Sequence, residues 1–489
     1  MKRKILLNLL VLVLSHYSIA GDRTSTIDEV LKYYVNNFQF NGTVLIAQHG
    51  NPIYTKAFGL ANRTWNIPND ADTKFRIYSM SKAFTSMIIY QLVEENKIDL
   101  KDNLTKFLPD FKSDSNHLVT IHHLLTHTSG IKDYLHQDGK TKEEIDRLNY
   151  SQWEFIEKYI DKNLEFSPGT KARYSNSNYY LLSVIIEKVT GKSYKENVTN
   201  RILVPLGMQN SGIDNSVDIL EKMSTGYFTD FGQYNHASYV NMKNLKGCGS
   251  IYSTAGDLLK WDQALYTEKL LSDSLKQLMF KPLVGNTFAS GWLTERRIMK
   301  IHNDTLTLIR HSGGYWGFKN RLIRVNNNDY SIIILSNVNM NNNVFMSIGD
   351  NILNTLYEEP FKYPKIPVSI YLYKFIQEKG IEYAIQEYNR IKKTPDSYGF
   401  HFMELKSLGE HLADNNDQTD ALEIFKLNVL EYPDNWVVYA DLAGMYIKLD
   451  DKINAIDNLK RSLEVNKQSN GFEKQAYLDI QKQLNELEK

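Results

Sequence analysis

Ser79 and Lys82 stand three positions apart where an extended segment, Thr73 to Tyr78, meets an amphipathic helix that runs to Glu94. Because three residues make almost one helical turn, the two side chains project from the same face. A serine hydroxyl becomes a good nucleophile when a base takes its proton, and a partly desolvated lysine can be that base. The spacing therefore predicts nucleophilic catalysis. A helix-capping serine beside a solvated lysine is the competing interpretation.

Tyr174 and Asn176 form a second candidate group, on a loop between Pro168-Gly169 and an apolar helix that begins near Tyr179. A phenol has a reference pKa of about 10, and a neighbouring lysine charge favours phenolate, which can act as a base and then as an acid. The Asn176 amide can hold a lysine or a substrate carbonyl. Taken alone, the tripeptide is an ordinary surface loop, so its interpretation depends on the other groups.

His311, Gly313 and Gly314 form a third group, which follows a strand and precedes an aromatic turn. Glycines allow the backbone to approach a ligand closely and leave an amide free to donate. The amides of Ser79 and Gly314 could then point at one oxyanion, which stabilises acyl transfer. A hairpin turn with an exposed histidine is the alternative.

The three groups follow the order S-x-x-K, Y-x-N, H-x-G, which resembles the serine β-lactamase and penicillin-binding protein superfamily. Residues 124–131 (LLTHTSGI), 166–176 and 247–257 also resemble segments of this family. The resemblance spans about residues 25–358 and implies a serine hydrolase. It implies that the nucleophile, its proton partner and the general acid/base are Ser79, Lys82 and Tyr174, and that the substrate-binding and oxyanion residues are Asn176, His311, Gly313 and Gly314.

The sequence Tyr174-Ser175-Asn176 places the resemblance closest to the class C-like branch, which includes DD-carboxypeptidases, D-aminopeptidases and esterases. His311 stands where class C β-lactamases have lysine. Lysine is a permanent cation for a substrate carboxylate, whereas histidine is mostly neutral near pH 7. The difference argues against efficient antibiotic hydrolysis. A D-amino-acid peptide, a small ester and a β-lactam all remain candidate substrates.

Strands at both ends of residues 21–360, with helices between them, predict an α/β (α+β) domain. We expect one antiparallel sheet built from both termini, a helical subdomain inserted in it, and an active site in the crevice between the two. This agrees with the β-lactamase/transpeptidase-like fold that the resemblance implies. The predicted strands and closing helix are Thr43 to Ala47, Ile53 to Ala57, Thr305 to Arg310, Phe318 to Val325, Tyr330 to Ser336 and Asn343 to Tyr357.

Residues 1–20 have the pattern of a signal peptide, with three basic residues, an apolar run from Ile5 to Leu14, and small residues at Ser18 and Ala20. The run is too short to span a bilayer. We therefore expect export to the periplasm or outside the cell, with no transmembrane segment in the mature chain. The 57 basic residues balance 57 acidic ones, so no net field attracts nucleic acid.

A proline-containing linker at 361–368 precedes residues 369–489, which read as helices only. Four positions recur 34 residues later, and this period resembles tetratricopeptide repeats. The residues are Leu408, Gly409, Ala421 and Phe425, which recur as Leu442, Ala443, Ala455 and Leu459. These repeats could bind a protein partner, or they could simply pack on the enzyme.

His122, His123 and His127 are close in sequence, but no H-E-x-x-H motif or spaced acidic ligand accompanies them. We predict no metal and no organic cofactor. Cys248 is the only cysteine, so an intramolecular disulfide is impossible. The alternative function is a catalytically weak protein that binds penicillin or peptidoglycan fragments and recruits a partner through its repeats.

Overall fold

The computed structural model describes residues 23–113, 116–136, 139–283, 287–325, 329–469 and 473–489. The predicted signal peptide lies outside these residues. The chain divides into two compact units, the first built from residues up to Thr229 together with Tyr234–Lys362, and the second from Asp230–Gln233 with Tyr363–Lys489. No helix among the described residues is long and apolar enough to cross a membrane.

The strands in the described ranges are, in chain order, β1 (Gly42–Gln48), β2 (Asn51–Phe58), β3 (Leu60–Asn62), β4 (Ile67–Pro68), β5 (Phe75–Arg76), β6 (Gly212–Ile213), β7 (Tyr227–Asp230), β8 (Gln233–His236), β9 (Ile251–Ser253), β10 (Phe288–Ala289), β11 (Trp292–Met299), β12 (Asp304–Tyr315), β13 (Phe318–Val325), β14 (Tyr330–Ser336), β15 (Ile366–Pro367) and β16 (Tyr398–Gly399).

The α-helices are α1 (residues 23–38), α2 (Ser81–Glu94), α3 (Leu104–Phe107), α4 (Ile121–Leu125), α5 (Gly139–Arg147), α6 (Gln152–Tyr159), α7 (Asn176–Thr190), α8 (Tyr194–Val198), α9 (Val204–Leu206), α10 (Ala255–Ala264), α11 (Asp273–Phe280), α12 (Asn342–Leu356), α13 (Val368–Lys379), α14 (Ile381–Ile391), α15 (Phe402–Asp414), α16 (Gln418–Glu431), α17 (Trp436–Lys448), α18 (Lys452–Gln468) and α19 (Lys474–Leu487). Short 3₁₀ turns cover Tyr78–Met80, Pro109–Phe111 and Met242–Leu245, and a π turn covers Thr199–Leu203.

A seven-stranded sheet, in the order β10-β11-β12-β13-β14-β1-β2, forms the centre of the first unit. Every neighbouring pair is antiparallel. The strands from the two ends of the unit meet where β1 pairs with β14, with Val44 opposite Ile334. The predicted sheet built from both termini is therefore confirmed, as is the α/β (α+β) class.

The central strands are buried on both faces, and their alternate side chains enter two different cores. In β14, Ile332 and Ile334 pack in a cluster with residues of α1 and α12, whereas Ile333 and Leu335 belong to the cluster that contains α2 and α7. A strand covered on both faces reads as a continuous apolar run, which explains why β14 was easy to predict. The larger of the two clusters joins the sheet to the helical subdomain.

The middle of the chain is less purely helical than its sequence indicates, because β6 to β9 lie within it. β9 pairs with β5 and β6 in a small sheet, and β7 pairs with β8. These strands have only two to four residues, too few for an alternating pattern to stand out in the sequence. The β5–β9 pairing matters for function, because β5 leads into the turn that carries Ser79.

The second unit consists mainly of helices, so the predicted helical C-terminal region is confirmed. The residues that recur with the 34-residue period occupy α15, α16, α17 and α18 and are buried. Gly409 allows α15 to approach α16 closely, because a Cβ there would lie 2.8 Å from the Phe425 ring. The resemblance of this region to tetratricopeptide repeats stays a prediction, as does the linker at residues 361–368.

Candidate active site

Ser79 lies in the 3₁₀ turn Tyr78–Met80 between β5 and α2, two residues before the α-helix begins. Strand β12 runs directly against this turn. A Cβ at Gly313 would lie 2.0 Å from the Ile77 carbonyl oxygen and 3.0 Å from the Ser79 amide nitrogen. Only glycine permits this approach, so Gly313 is what brings the third motif beside the first.

Lys82 is fully buried and donates three hydrogen bonds. Its Nζ lies 3.2 Å from Ser79 Oγ, 2.7 Å from Asn176 Oδ1 and 3.0 Å from the Cys248 carbonyl oxygen. Burial lowers the pKa of Lys82 to about 8, against the opposing effect of the Asp133 carboxylate. A substantial fraction of this lysine is therefore neutral near physiological pH.

The geometry of Lys82 determines where its lone pair points when it loses a proton. Asn176 Oδ1 and the Cys248 carbonyl can only accept hydrogen bonds, so they keep the two remaining N–H groups. The lone pair is then left facing the Ser79 hydroxyl. This arrangement suits a general base for a serine nucleophile.

Asp133 fixes the orientation of the Asn176 side chain. Its Oδ2 accepts a 3.0 Å hydrogen bond from Asn176 Nδ2, and its Oδ1 accepts one of 3.0 Å from the Asn176 backbone amide. Because the amide NH₂ is held by a carboxylate, the amide oxygen must face Lys82. His136 also contacts Asp133, at 2.7 Å from Oδ2.

Tyr174 is brought next to the Ser–Lys pair, with Lys82 Nζ 4.7 Å from its ring centre. Burial raises the pKa of Tyr174 above its ordinary value, and a hydrogen bond with Ser79 opposes that rise. The hydroxyl is therefore protonated and suited to donate a proton. The sequence-based expectation of a phenolate that first acts as a base is not favoured by this environment.

His127 supports the loop that carries Tyr174. The two rings lie 4.5 Å apart, and His127 Nδ1 accepts a 3.1 Å hydrogen bond from the Ser175 amide. Burial and the nearby Lys82 charge lower the pKa of His127 well below its usual range. His127 is thus a neutral packing and positioning residue, whereas His123 belongs to the N-terminal cap of α4.

His311 lies within β12, since this strand continues to Tyr315 instead of ending at Arg310 as predicted. The histidine is buried, and burial together with the charge of Lys82 lowers its pKa to about 3. Its Nδ1 lies 2.6 Å from the Ser312 carbonyl, which can only accept, so Nδ1 carries the proton. His311 is therefore neutral and offers Nε2 as a hydrogen-bond acceptor.

Ser79 opens into a cleft of about 330 Å³. Gly314 lines the same cleft, which is compatible with the predicted pair of oxyanion donors. The wall residues include Tyr78, Asp133, Leu135, His136, Lys142, Tyr174, Asn176, Leu245, Cys248 and Tyr315. The cleft is large enough for a small acyl group and its leaving group.

The predicted site residues therefore lie together, but three contributors were missed. These contributors act through contacts between segments that are distant in sequence. They are Asp133, the ring of His127, which supports Tyr174, and the Cys248 carbonyl. Asp133 follows the LLTHTSGI segment by two residues, and this proximity was the only available signal. The role of the Cys248 carbonyl could not be predicted, because every residue type has a backbone carbonyl.

Comparisons with known proteins identify the family to which this chain belongs. Residues 28–356 match the family model described as Beta-lactamase. The chain is 30% identical over 357 residues to penicillin-binding protein 4* of Bacillus subtilis (strain 168), covering 67% of this chain and 75% of that protein.

Solved structures agree with the sequence comparisons. A penicillin-binding protein from Bacillus halodurans is 25% identical, with a TM-score of 0.57 over 66% of this chain and 98% of that one. A D-amino acid amidase from Ochrobactrum anthropi SV3 shares the fold at 21% identity, with a TM-score of 0.59 over 69% and 99% of the two chains. The family match covers more than half of the sequence, and this chain therefore belongs to the β-lactamase family of serine hydrolases.

Proposed function

We propose that this protein hydrolyses an amide or ester through an acyl-enzyme on Ser79. The observation that carries the proposal is the set of three hydrogen bonds around Lys82, which leaves the lone pair of the neutral amine directed at Ser79 Oγ. Binding alone would not require a buried lysine with a lowered pKa beside a serine.

In the acylation step, Ser79 Oγ attacks the substrate carbonyl carbon while Lys82 Nζ takes the hydroxyl proton. The resulting oxyanion faces the backbone amides of Ser79 and Gly314. The bond to the leaving group then breaks, and the leaving group takes a proton from Tyr174, which recovers one from Lys82. These transfers conserve protons and leave Lys82 neutral for the next step.

In the deacylation step, water attacks the ester on Ser79. Its proton passes to the Lys82–Tyr174 pair, and the Ser79 oxygen is reprotonated as the acid product leaves. The net reaction adds one water across the acyl bond. The rate of this step distinguishes a hydrolase with rapid turnover from a penicillin-binding protein that stays acylated.

The relatives and the site support three candidate substrate classes. The match to a penicillin-binding protein supports β-lactams as ligands, and the fold shared with a D-amino acid amidase supports D-amino-acid peptides such as those of the cell wall. The same chemistry would act on small esters. A site in the periplasm or outside the cell, reached through a signal peptide at residues 1–20, fits such a substrate. Mass spectrometry of the N-terminus of exported protein tests this location.

Intact mass measured over time, after the purified protein is mixed with a penicillin, tests the mechanism. We expect an adduct of one drug molecule that is absent from Ser79→Ala. A stable adduct indicates slow deacylation, and a transient adduct with continued drug loss indicates a β-lactamase. If the penicillin gives neither an adduct nor drug loss, the test is repeated with a p-nitrophenyl ester and a D-alanyl peptide. Ser79-independent turnover of these would contradict the proposal.

The alternative is a protein that binds penicillin or wall fragments with little turnover, with the second unit recruiting a protein partner. Unchanged affinity for a wall peptide in Ser79→Ala, together with an absence of any adduct or turnover in the wild type, would favour this alternative. The resemblance of residues 369–489 to tetratricopeptide repeats motivates the partner.

A further inference from the structure

The third motif of this chain supplies no positive charge. His311 is buried and neutral, and its protonated Nδ1 is occupied by the Ser312 carbonyl. A substrate that carries an anionic group would therefore find no cation on β12 at the position where related enzymes have lysine. Another part of the fold must supply one if such substrates are used.

Lys142, on α5, is placed to do this. It lines the Ser79 cleft, and it also lines a neighbouring cleft of about 430 Å³ that shares Gly314 and Tyr315 with the first. Lys142 Nζ lies 5.6 Å from the centre of the Tyr315 ring and 5.2 Å from that of Trp316. The ammonium group thus stands at the junction of the two clefts.

The position of Lys142 is fixed by its neighbour on the helix. Asp146 lies one turn further along α5 and accepts 2.8 Å hydrogen bonds from Tyr315 Oη and Trp316 Nε1. The helix is thereby tied to the end of β12 and to the turn that follows it. Burial raises the pKa of Asp146 and the charge of Lys142 opposes that rise, so the two side chains attract each other. A ligand carboxylate would compete for Lys142 with a carboxylate whose two oxygens already accept hydrogen bonds.

The neighbouring cleft is suited to an anion. Of the described residues that line it, none is acidic, and Lys319 adds a second cation whose Nζ lies 3.3 Å from Asn342 Oδ1. The side-chain amides of Asn339 and Asn342 and the ring of Phe228 complete the wall. The positive charge and the amide donors suit a carboxylate, and the aromatic surface suits an apolar group attached to it.

We propose that Lys142 is the cation that selects substrates with a free carboxylate, which binds at the junction of the two clefts while Ser79 attacks the acyl bond. The proposal rests on the hydrolase function proposed above and names its substrate class as anionic acyl compounds, such as peptides and depsipeptides with a free carboxyl group. Lys142 would supply, from a helix, the positive charge that His311 does not carry.

The test uses two matched substrate pairs with the full chain. In the first pair, benzoylglycyl esters differ only in a leaving group of D-lactate or D-lactamide. In the second pair, the two esters share one leaving group and differ only in a free acid or an amide on the acyl part of the molecule. We expect the wild type to prefer the acid in at least one pair, and Lys142→Met to lower the acid-to-amide ratio of kcat/KM about tenfold, as for loss of a partly desolvated charge pair.

Three further variants sharpen the result. Lys142→Arg should keep the preference, because it keeps the charge. Lys188→Met removes an exposed lysine in the last turn of α7 and should leave the ratio as in the wild type. In the Lys142→Met background, His311→Lys should restore part of the preference by returning a cation to β12. Thermal unfolding of each variant checks that it folds.

Failure of this inference is distinguishable from failure of the hydrolase proposal. Ser79-dependent turnover with the same acid-to-amide ratio in wild type and Lys142→Met would overturn the role of Lys142 alone. If no substrate is turned over, calorimetry with the Ser79→Ala variant and the same acids and amides still tests the anion site. Equal affinity for acid and amide in that variant would also overturn it.

Discussion

Asn176 accepts a 2.7 Å hydrogen bond from Lys82 through the oxygen of an amide whose nitrogen is held by Asp133. The orientation of a side chain on α7 is therefore set by the loop after α4 and transmitted to the proposed base on α2. This relationship makes the protonation of Lys82 sensitive to residues that do not contact the serine.

Replacing Lys82 should greatly slow acylation, although the Ser79 nucleophile stays in place. We expect Lys82→Met to lower the acylation rate about a thousandfold, because a positioned general base typically contributes on that scale. Stopped-flow or intact-mass measurement of acylation checks this. Lys82→Arg is the matched variant that keeps the charge but cannot act as a base, and acylation at near wild-type rate in Lys82→Arg would contradict the role.

The pH dependence of acylation should report the pKa of Lys82. Because the base must be deprotonated, kcat/KM for a neutral ester should rise roughly tenfold per pH unit at low pH and level off near pH 8, the value to which burial lowers this pKa. His311 titrates far below this window. A neutral ester avoids ionisation of the substrate. A profile that keeps rising to pH 10 would show that the lysine pKa is not lowered.

Asp133 is expected to act as a positioning residue. Its carboxylate raises the pKa of Lys82, so Asp133→Asn should move the inflection of the kcat/KM profile to lower pH. We also expect a plateau about tenfold lower, since the Asn176 amide loses a charged acceptor. The shift of the inflection separates this role from simple destabilisation, which would lower the amount of active protein without moving the profile.

Gly313 should tolerate no side chain. In Gly313→Ala the new Cβ would collide with the Ile77 carbonyl, so we expect a loss of stability of about 1–3 kcal/mol from overpacking, together with impaired acylation. Thermal or urea unfolding and acylation kinetics measure both effects.

The control is Gly256→Ala, in α10, where a new Cβ would have no heavy atom within 4 Å. It should stabilise the protein slightly, by about 0.5–1 kcal/mol, through the higher helix propensity of alanine. Equal stability of the two variants would show that β12 does not press against the turn.

The parts of the fold that were predictable are those with a strong local signal. Strand β14 contains a continuous apolar run, and both β13 and β14 have the bounds expected from the sequence. The extension of β12 to Tyr315 was missed because Gly313 and Gly314 weaken the strand pattern. In the structure both are strand residues, and Gly313 allows the close approach to the Ser79 turn.

The candidate site was predictable where motif residues carry the chemistry themselves. Ser79, Lys82, Tyr174 and Asn176 could be identified because their residue types suit their roles. Asp133 could not, since its contribution depends on a contact with a residue 43 positions away in the chain. The neutral state of His311 also depends on burial, which the surrounding glycines and serine did not indicate.

Cys248 separates two properties that usually change together. Its backbone oxygen accepts a hydrogen bond from Lys82, while its side chain is buried in the hydrophobic core and contacts the Tyr134 hydroxyl. A smaller side chain at this position, as in Cys248→Ala, retains the acceptor for the amine, because every amino acid has a backbone carbonyl. Because Cys248 is the only cysteine in the sequence, Cys248→Ala would give a cysteine-free protein for site-specific labelling elsewhere, with the acceptor for Lys82 still in place.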